Sequence, residues 1–300
     1  MTTQSVQHPQ RSSGCPLHSF ALRRDASGPL LPRLGAFAYG LVAYAAFAGT
    51  ITYALGFIGN WIAPKSIDSG TPGALLPSLL INSLLLSSFV VQHTIMARPA
   101  FKRWWTRIIP ASIERSTFVL AASACLILTF ALWQPLPQTV WSFEHPALVW
   151  GLSALTIFGF GIVLAASFMV SHFDLFGLRQ VWMRLTGQAY RPVGFRLVGL
   201  YKLVRHPLML GFLIAFWATP HMTVGHLFFS IMTTLYIAFG VFMEERDLVA
   251  EHGENYLRYR RTTRAVLPLP KRMPRADTPS TEPLPTIGGE AGAYSSGGAA

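Results

Sequence analysis

The chain has 300 residues, 51% of them hydrophobic and 12% charged, with a formal net charge of +11. A soluble domain carries about 25% charged residues, so half that share with long uncharged runs excludes an ordinary soluble globule and indicates an integral membrane protein. Lys and Arg are not gathered on one face or stripe, so nucleic acid is not the partner of this charge; the lipid bilayer is.

Residues 1–33 form a leader without periodicity, expected to be a disordered tail. The apolar run 34–58 is too long for a signal-peptide core and reads as a retained helix. Further apolar segments follow at 75–97, 116–135, 147–170, 207–220 and 224–243. Most approach the ~20 residues that cross a bilayer. In the fourth, Gly159-Phe160-Gly161 predicts close approach of a neighbouring helix. The segment at 207–220 is short and joins the next through 221–223, so the two read as a helical hairpin whose first arm is a tilted or incomplete crossing. The long 171–206 connection is a candidate functional loop. After the last span, "RDLVAEHGENYLRYRR" reads as an amphipathic interfacial segment with Tyr256 and Tyr259 on one face. A membrane domain over 34–272 and a disordered tail over 273–300, rich in Pro, Gly, Ser and Ala, complete the expected organisation.

The charges fix an expected topology. Of the 24 Lys and Arg residues, all but Lys65 lie in the N-terminal tail, the 98–115 loop, the 171–206 loop or the C-terminal region. Cytoplasmic loops collect Lys and Arg, so the pattern predicts an all-α polytopic protein of about six spans with both termini cytoplasmic. Cys15 and Cys125 are expected as free thiols, no metal-ligand spacing is present, and no protein partner is implied.

This topology puts His93, His172, Asp174, Arg205, His206, Glu244 and Glu245 on one side, and His145, His221 and His226 on the other. Each has a plainer reading. Arg205 serves equally as a charge anchor, Pro207 is a favoured first-turn residue, and His93 and His172 also suit interfacial packing. Glu244-Glu245 is harder to set aside. Paired acids at a helix C-terminus oppose the dipole unless the helix continues, and they suit a ligand carrying positive charge.

The stretches "GLYKLVRHPLMLG" and "EERDLVAEHGENYLRYRR" together resemble the isoprenylcysteine carboxyl methyltransferase superfamily of membrane enzymes. The pieces "VVQHTIMARPAFKRWWTR", "IERSTFVLAAS" and "SHFDLFGLRQVW" extend the likeness over residues 34–270 to its NnrU-related branch, most closely to the bacterial methanethiol S-methyltransferases. The resemblance implies methyl transfer from S-adenosylmethionine in a bacterial cytoplasmic membrane, with the site near the cytoplasmic face. By position it implies that Tyr201, His206, Pro207, Leu208, Met209 and Gly211 line the cofactor, with Glu244 and Glu245 completing the site. Met209 replaces the tyrosine of the family pattern, and "YIAFGVFM" lacks the arginine with which carboxyl methyltransferases hold a carboxylate. The expectation is therefore a small thiol acceptor, with His93 or His172 taking its proton and Arg205 favouring the thiolate. A lipid, prenyl or larger thiol acceptor, or a non-enzymatic membrane role, remains as an alternative.

Overall fold

The computed structural model describes residues 28–193 and 197–268. The disordered tails expected over 1–33 and 273–300 lie outside the described residues, except at 28–33, where the first helix already begins at Leu30. In chain order the helices are α1 (Leu30–Gly59), α2 (Leu75–Ala97), α3 (Pro99–Trp105), α4 (Glu114–Leu132), α5 (Pro146–Val170), α6 (His172–Leu175), α7 (Leu178–Leu185), α8 (Pro207–Trp217), α9 (Val224–His252) and α10 (Glu254–Thr262). Short 3-10 turns at Ala111–Ile113 and Gly199–Lys202 lead into α4 and towards α8.

The long helices are apolar all round, as lipid-solvated helices are, and many of their buried positions are small or polar. Ala36, Gly40, Ala43 and Thr50 of α1, Ser78 and Asn82 of α2, and Ser116, Ser123 and Thr129 of α4 face inward. Large apolar side chains such as Leu84, Trp150, Phe158 and Phe242 point out. The chain is a multi-pass, all-α membrane protein.

Among the described residues five helices are long and apolar enough to cross a membrane: α1, α2, the Ala111–Leu132 unit containing α4, α5 and α9. The expected fifth span is only the 11 residues of α8. At 1.5 Å per residue it covers about 16 Å, roughly half of a bilayer core. Although α8 and α9 are consecutive, α8 packs chiefly against α5 and less against α9. A Cβ on Gly159 would lie 2.6 Å from the Gly211 carbonyl oxygen, and one on Gly211 would lie 2.6 Å from that of Gly159. The two backbones touch because neither residue has a side chain.

At the Trp217 end the chain leaves α8 into a strand rather than a simple turn. β1 (Thr139–Ser142) and β2 (His221–Thr223) pair antiparallel, which satisfies backbone groups that have left their helices. At the other end α9 continues to His252 instead of stopping at 243.

Candidate functional site

The opening of α8 gathers the charged candidate residues. Pro207 stands in the first turn, where its missing N–H needs no partner, and His206 precedes it. The backbone before the helix is held from outside. Val204 and Arg264 form a parallel bridge, Arg205 N–H donates to the Arg264 carbonyl at 2.9 Å, and His206 N–H donates to that of Ala265 at 2.9 Å. The segment after α10 therefore straps the RHP turn in place.

Glu244 and Glu245 sit within α9, since that helix runs on to His252, so the dipole penalty of a terminal acid pair does not arise. Glu245 is buried and gathers three partners. Arg205 donates to Oε1 through Nε at 2.8 Å and through Nη2, His206 Nε2 lies 3.3 Å from the same oxygen, and Arg260 Nε lies 3.3 Å from Oε2. Glu244 points the other way, its side chain 51% exposed, with Oε2 3.4 Å from His206 Nδ1. The imidazole of His206 is thus buried between two carboxylates, one braced and one open to solvent. Arg205 also donates from Nη1 to the carbonyls of Arg260, at 3.2 Å, and Thr263.

α10 packs its aromatic face on this cluster. Tyr256 and Tyr259 are buried, and the Tyr259 hydroxyl donates to the Tyr201 carbonyl. Burial, with the Glu244 charge nearby, pushes the Tyr201 phenol up to about 12, so it stays a protonated donor at neutral pH. A cavity of about 330 Å³ opens beside Arg205, lined also by Leu257, Arg260 and Arg261.

The structure thus brings Tyr201, Arg205, His206, Pro207, Glu244 and Glu245 together. Leu208 and Met209 follow in the half-buried first turn of α8. Gly211 is turned towards α5, where helix contact accounts for its missing side chain. The three residues expected to act on the acceptor are not gathered in one place. Arg205 spends all three of its nitrogens on Glu245 and two carbonyls, which makes it a brace rather than an anion receptor. His172 is buried, with Nε2 2.9 Å from the Tyr44 hydroxyl and Nδ1 2.8 Å from that of Ser167, and it stacks on Phe168 at 4.2 Å. Both nitrogens are engaged, and burial lowers its basicity. His93 sits among Phe89, Phe118 and Tyr236 of α9, and its buried Nδ1 has no hydrogen-bond partner among the described residues.

The model of the NnrU protein family matches residues 80–265, well over half of the chain. The chain belongs to the NnrU family. Within reach of this family assignment are curated relatives that match most of their own length. Methanethiol S-methyltransferase 2 of Bradyrhizobium diazoefficiens is 48% identical over 239 residues, 80% of this chain and 92% of that protein. The methanethiol S-methyltransferase of Mycobacterium tuberculosis is 46% identical over 234 residues, 78% of this chain and 96% of that protein. More distantly, Nurim of Rattus norvegicus is 26% identical over 184 residues, 58% of this chain and 70% of that protein. No solved structure matches.

In this NnrU-family chain, sequence reasoning missed Arg260 as a ligand of Glu245 and the strap at 264–265. Neither carries a local signal, because both are defined only by where the chain returns after α10.

Proposed function

We propose that this protein transfers a methyl group from S-adenosylmethionine to methanethiol, giving dimethyl sulfide. The observation that carries the reading is the cradle at the head of α8, where His206 lies between the braced Glu245 and the open Glu244. The residues fit the donor. Glu244 offers a solvent-facing carboxylate for hydroxyl or cationic groups, and Tyr201 offers a protonated phenol on a backbone held by the Tyr259 hydroxyl. When bound, S-adenosylmethionine supplies an activated methyl group on a sulfonium that is already a good leaving group.

What this chain must add is position and a route for one proton. Fixing two reactants in line is worth effective molarities of about 10⁵–10⁸ M, and a rigid, strapped site serves that end. The acceptor sulfur reacts as a thiolate, so the thiol proton must go to a base. His93 is the better of the two histidines for that role, since its Nδ1 is uncommitted whereas both nitrogens of His172 are taken. The uncharged "YIAFGVFM" stretch of α9, which places Tyr236 beside His93, suits a small neutral acceptor arriving from lipid. The names of the curated relatives support the same acceptor. The charge distribution supports a cytoplasmic-membrane protein with both termini and the cradle on the cytoplasmic side.

The test is to give detergent-purified protein methyl-labelled S-adenosylmethionine with methanethiol and to collect volatile labelled dimethyl sulfide. Label in the product, lost in His206→Ala and Glu244→Gln, is the expected result. Donor binding without volatile product would move the acceptor to a lipid or larger thiol. Folded protein that binds no donor would end the methyltransferase reading.

A further inference from the structure

Three stretches that carry the family likeness take no part in the cradle: the one following His93, the one opening α4, and the one around α6 and α7. They meet at a second cavity of about 220 Å³, lined by Lys102 of α3, Glu114 and Arg115 of α4, Asp174 of α6, Gln180 of α7 and Tyr190 of the loop beyond. Two cations and two carboxylates thus face one small space, and they are unequally engaged.

Asp174 is satisfied. It accepts from Arg179 Nη1 at 3.1 Å and from the Tyr190 hydroxyl at 3.1 Å. Arg115 is partly so, donating from Nε to the Leu175 carbonyl at 2.7 Å with its guanidinium 4.8 Å from the centre of the Phe118 ring. Lys102 and Glu114 are different. Among the described residues neither side chain makes a hydrogen bond or an ion pair, although Glu114 is only 8% exposed. Gln180 donates through Nε2 to the Asp174 carbonyl at 3.1 Å, but its buried Oε1 has no partner among the described residues. Burial holds the Lys102 ammonium below the usual lysine range, with Arg115 adding to the effect and Glu114 opposing it.

A buried glutamate and a half-buried lysine that face a cavity with no hydrogen bond or ion pair among the described residues are costly to keep, and a ligand of complementary charge offsets that cost. A simple anion would meet the Glu114 charge, a simple cation that of Lys102, and an uncharged thiol would pair with neither. A ligand with both charges on neighbouring atoms answers both. We propose that this cavity binds the zwitterionic head of an α-amino acid, its ammonium on Glu114 and Gln180 Oε1 and its carboxylate on Lys102. That head has two sources, the methionyl end of S-adenosylmethionine or a free amino acid. The first rests on the methyltransferase reading and the second does not.

The experiment measures equilibrium binding of three probes to the full-length protein in detergent: S-adenosylmethionine, its decarboxylated analogue and L-methionine. Lys102→Met and Glu114→Gln are compared with wild type, each with its thermal unfolding midpoint as a folding control. Loss of a charge-assisted contact weakens binding by about tenfold or more. The expected result is that loss for a zwitterionic probe in Lys102→Met, with the decarboxylated analogue changed less than about twofold. Seen with S-adenosylmethionine, it assigns the cavity to the donor. Seen with L-methionine alone, it assigns the cavity to a free amino acid. Should Lys102→Met fail to fold, Glu114→Gln gives the same reading through the ammonium, with the loss then expected for all probes that keep the amine. If wild type binds L-methionine in a Lys102-dependent way but no S-adenosylmethionine, the methyltransferase reading fails and the cavity assignment stands. Zwitterion affinities unchanged in folded variants, or no binding of any probe, overturn the proposal.

Discussion

The two ends of α8 bury a histidine each and treat it in opposite ways. At the Trp217 end, His226 donates through Nε2 to the Phe216 carbonyl at 2.9 Å, and Ser230 donates to the same oxygen at 2.8 Å. Trp133 donates to the Ile67 carbonyl at 3.1 Å, and Asn82 exchanges two bonds with the Gln134 backbone at 2.8 and 2.9 Å. Of the charged residues there, Lys65 donates to the Ala131 carbonyl at 2.7 Å, and Asp68 accepts from Thr223 and, at 2.6 Å, from Asn60. At the Pro207 end, His206 is set between two carboxylates, an arginine braces one of them, and the other is left open. A largely neutral network bonded mainly to backbone closes the protein, with His226 Nδ1 left without a hydrogen-bond partner among the described residues. A charged network with one arm in solvent is costly to keep as mere structure and suits a ligand.

The sharpest way to break this contrast is Glu245→Gln. Removing one partner of a buried ion pair strands Arg205 and should cost about 3–5 kcal/mol, with methyl transfer lost at the same time. Thermal unfolding in detergent and labelled product formation read the two effects. At the closed end, Asn82→Ala leaves the Gln134 backbone unpaired and should cost about 1–3 kcal/mol. It should leave donor affinity unchanged, and a large drop in affinity would undo the division between a sealing end and a binding end. Between them, Gly159→Ala pushes a methyl group onto the Gly211 carbonyl and should cost about 1–3 kcal/mol by separating α5 from α8. Glu244→Gln sharpens the contrast from the other side. Half-exposed and unbraced, it should move stability by less than about 0.5 kcal/mol while donor affinity falls.

The smallest effect concerns pH. Burial lowers the His172 pKa below the value it has in the unfolded chain. The unfolded state therefore takes up a proton first, so stability is complete above about pH 6.5 and declines as pH falls below it. The unfolding midpoint should drop between about pH 6.5 and 5, less steeply in His172→Asn, where no titrating ring remains. An equal slope in the variant would show that another group titrates there.

The helices were legible because lipid imposes so simple a rule. Runs without charge announced themselves at 75–97, 147–170 and 224–243, and the structure reproduces the first two closely. The boundary of the last span was not legible. Charge at Glu244 marks where apolar composition stops, whereas the backbone stays helical to His252 because Tyr256 and Tyr259 of the following α10 give the polar turns something to pack on. The β1–β2 pair escaped for a similar reason. Its partners are separated by the whole of α5 and α8, and short apolar stretches do not declare their pairing.

For the site, the Arg205-His206-Pro207 turn and the Glu244-Glu245 pair were readable as unusual residues at a membrane edge. Their juxtaposition, and the placing of His93 and His172 in different aromatic surroundings, were not. By itself the sequence determined that the chain lives in a membrane, where its helices run and which end of the bundle collects charge, since each follows from the cost of moving a given side chain out of water. Only the tertiary structure decided that α8 is half a crossing laid against α5, that Arg205 braces Glu245, and that Lys102 and Glu114 face one cavity. Those outcomes depend on which backbones can approach and which charges are left without partners, quantities that exist only once distant parts of the chain are in contact.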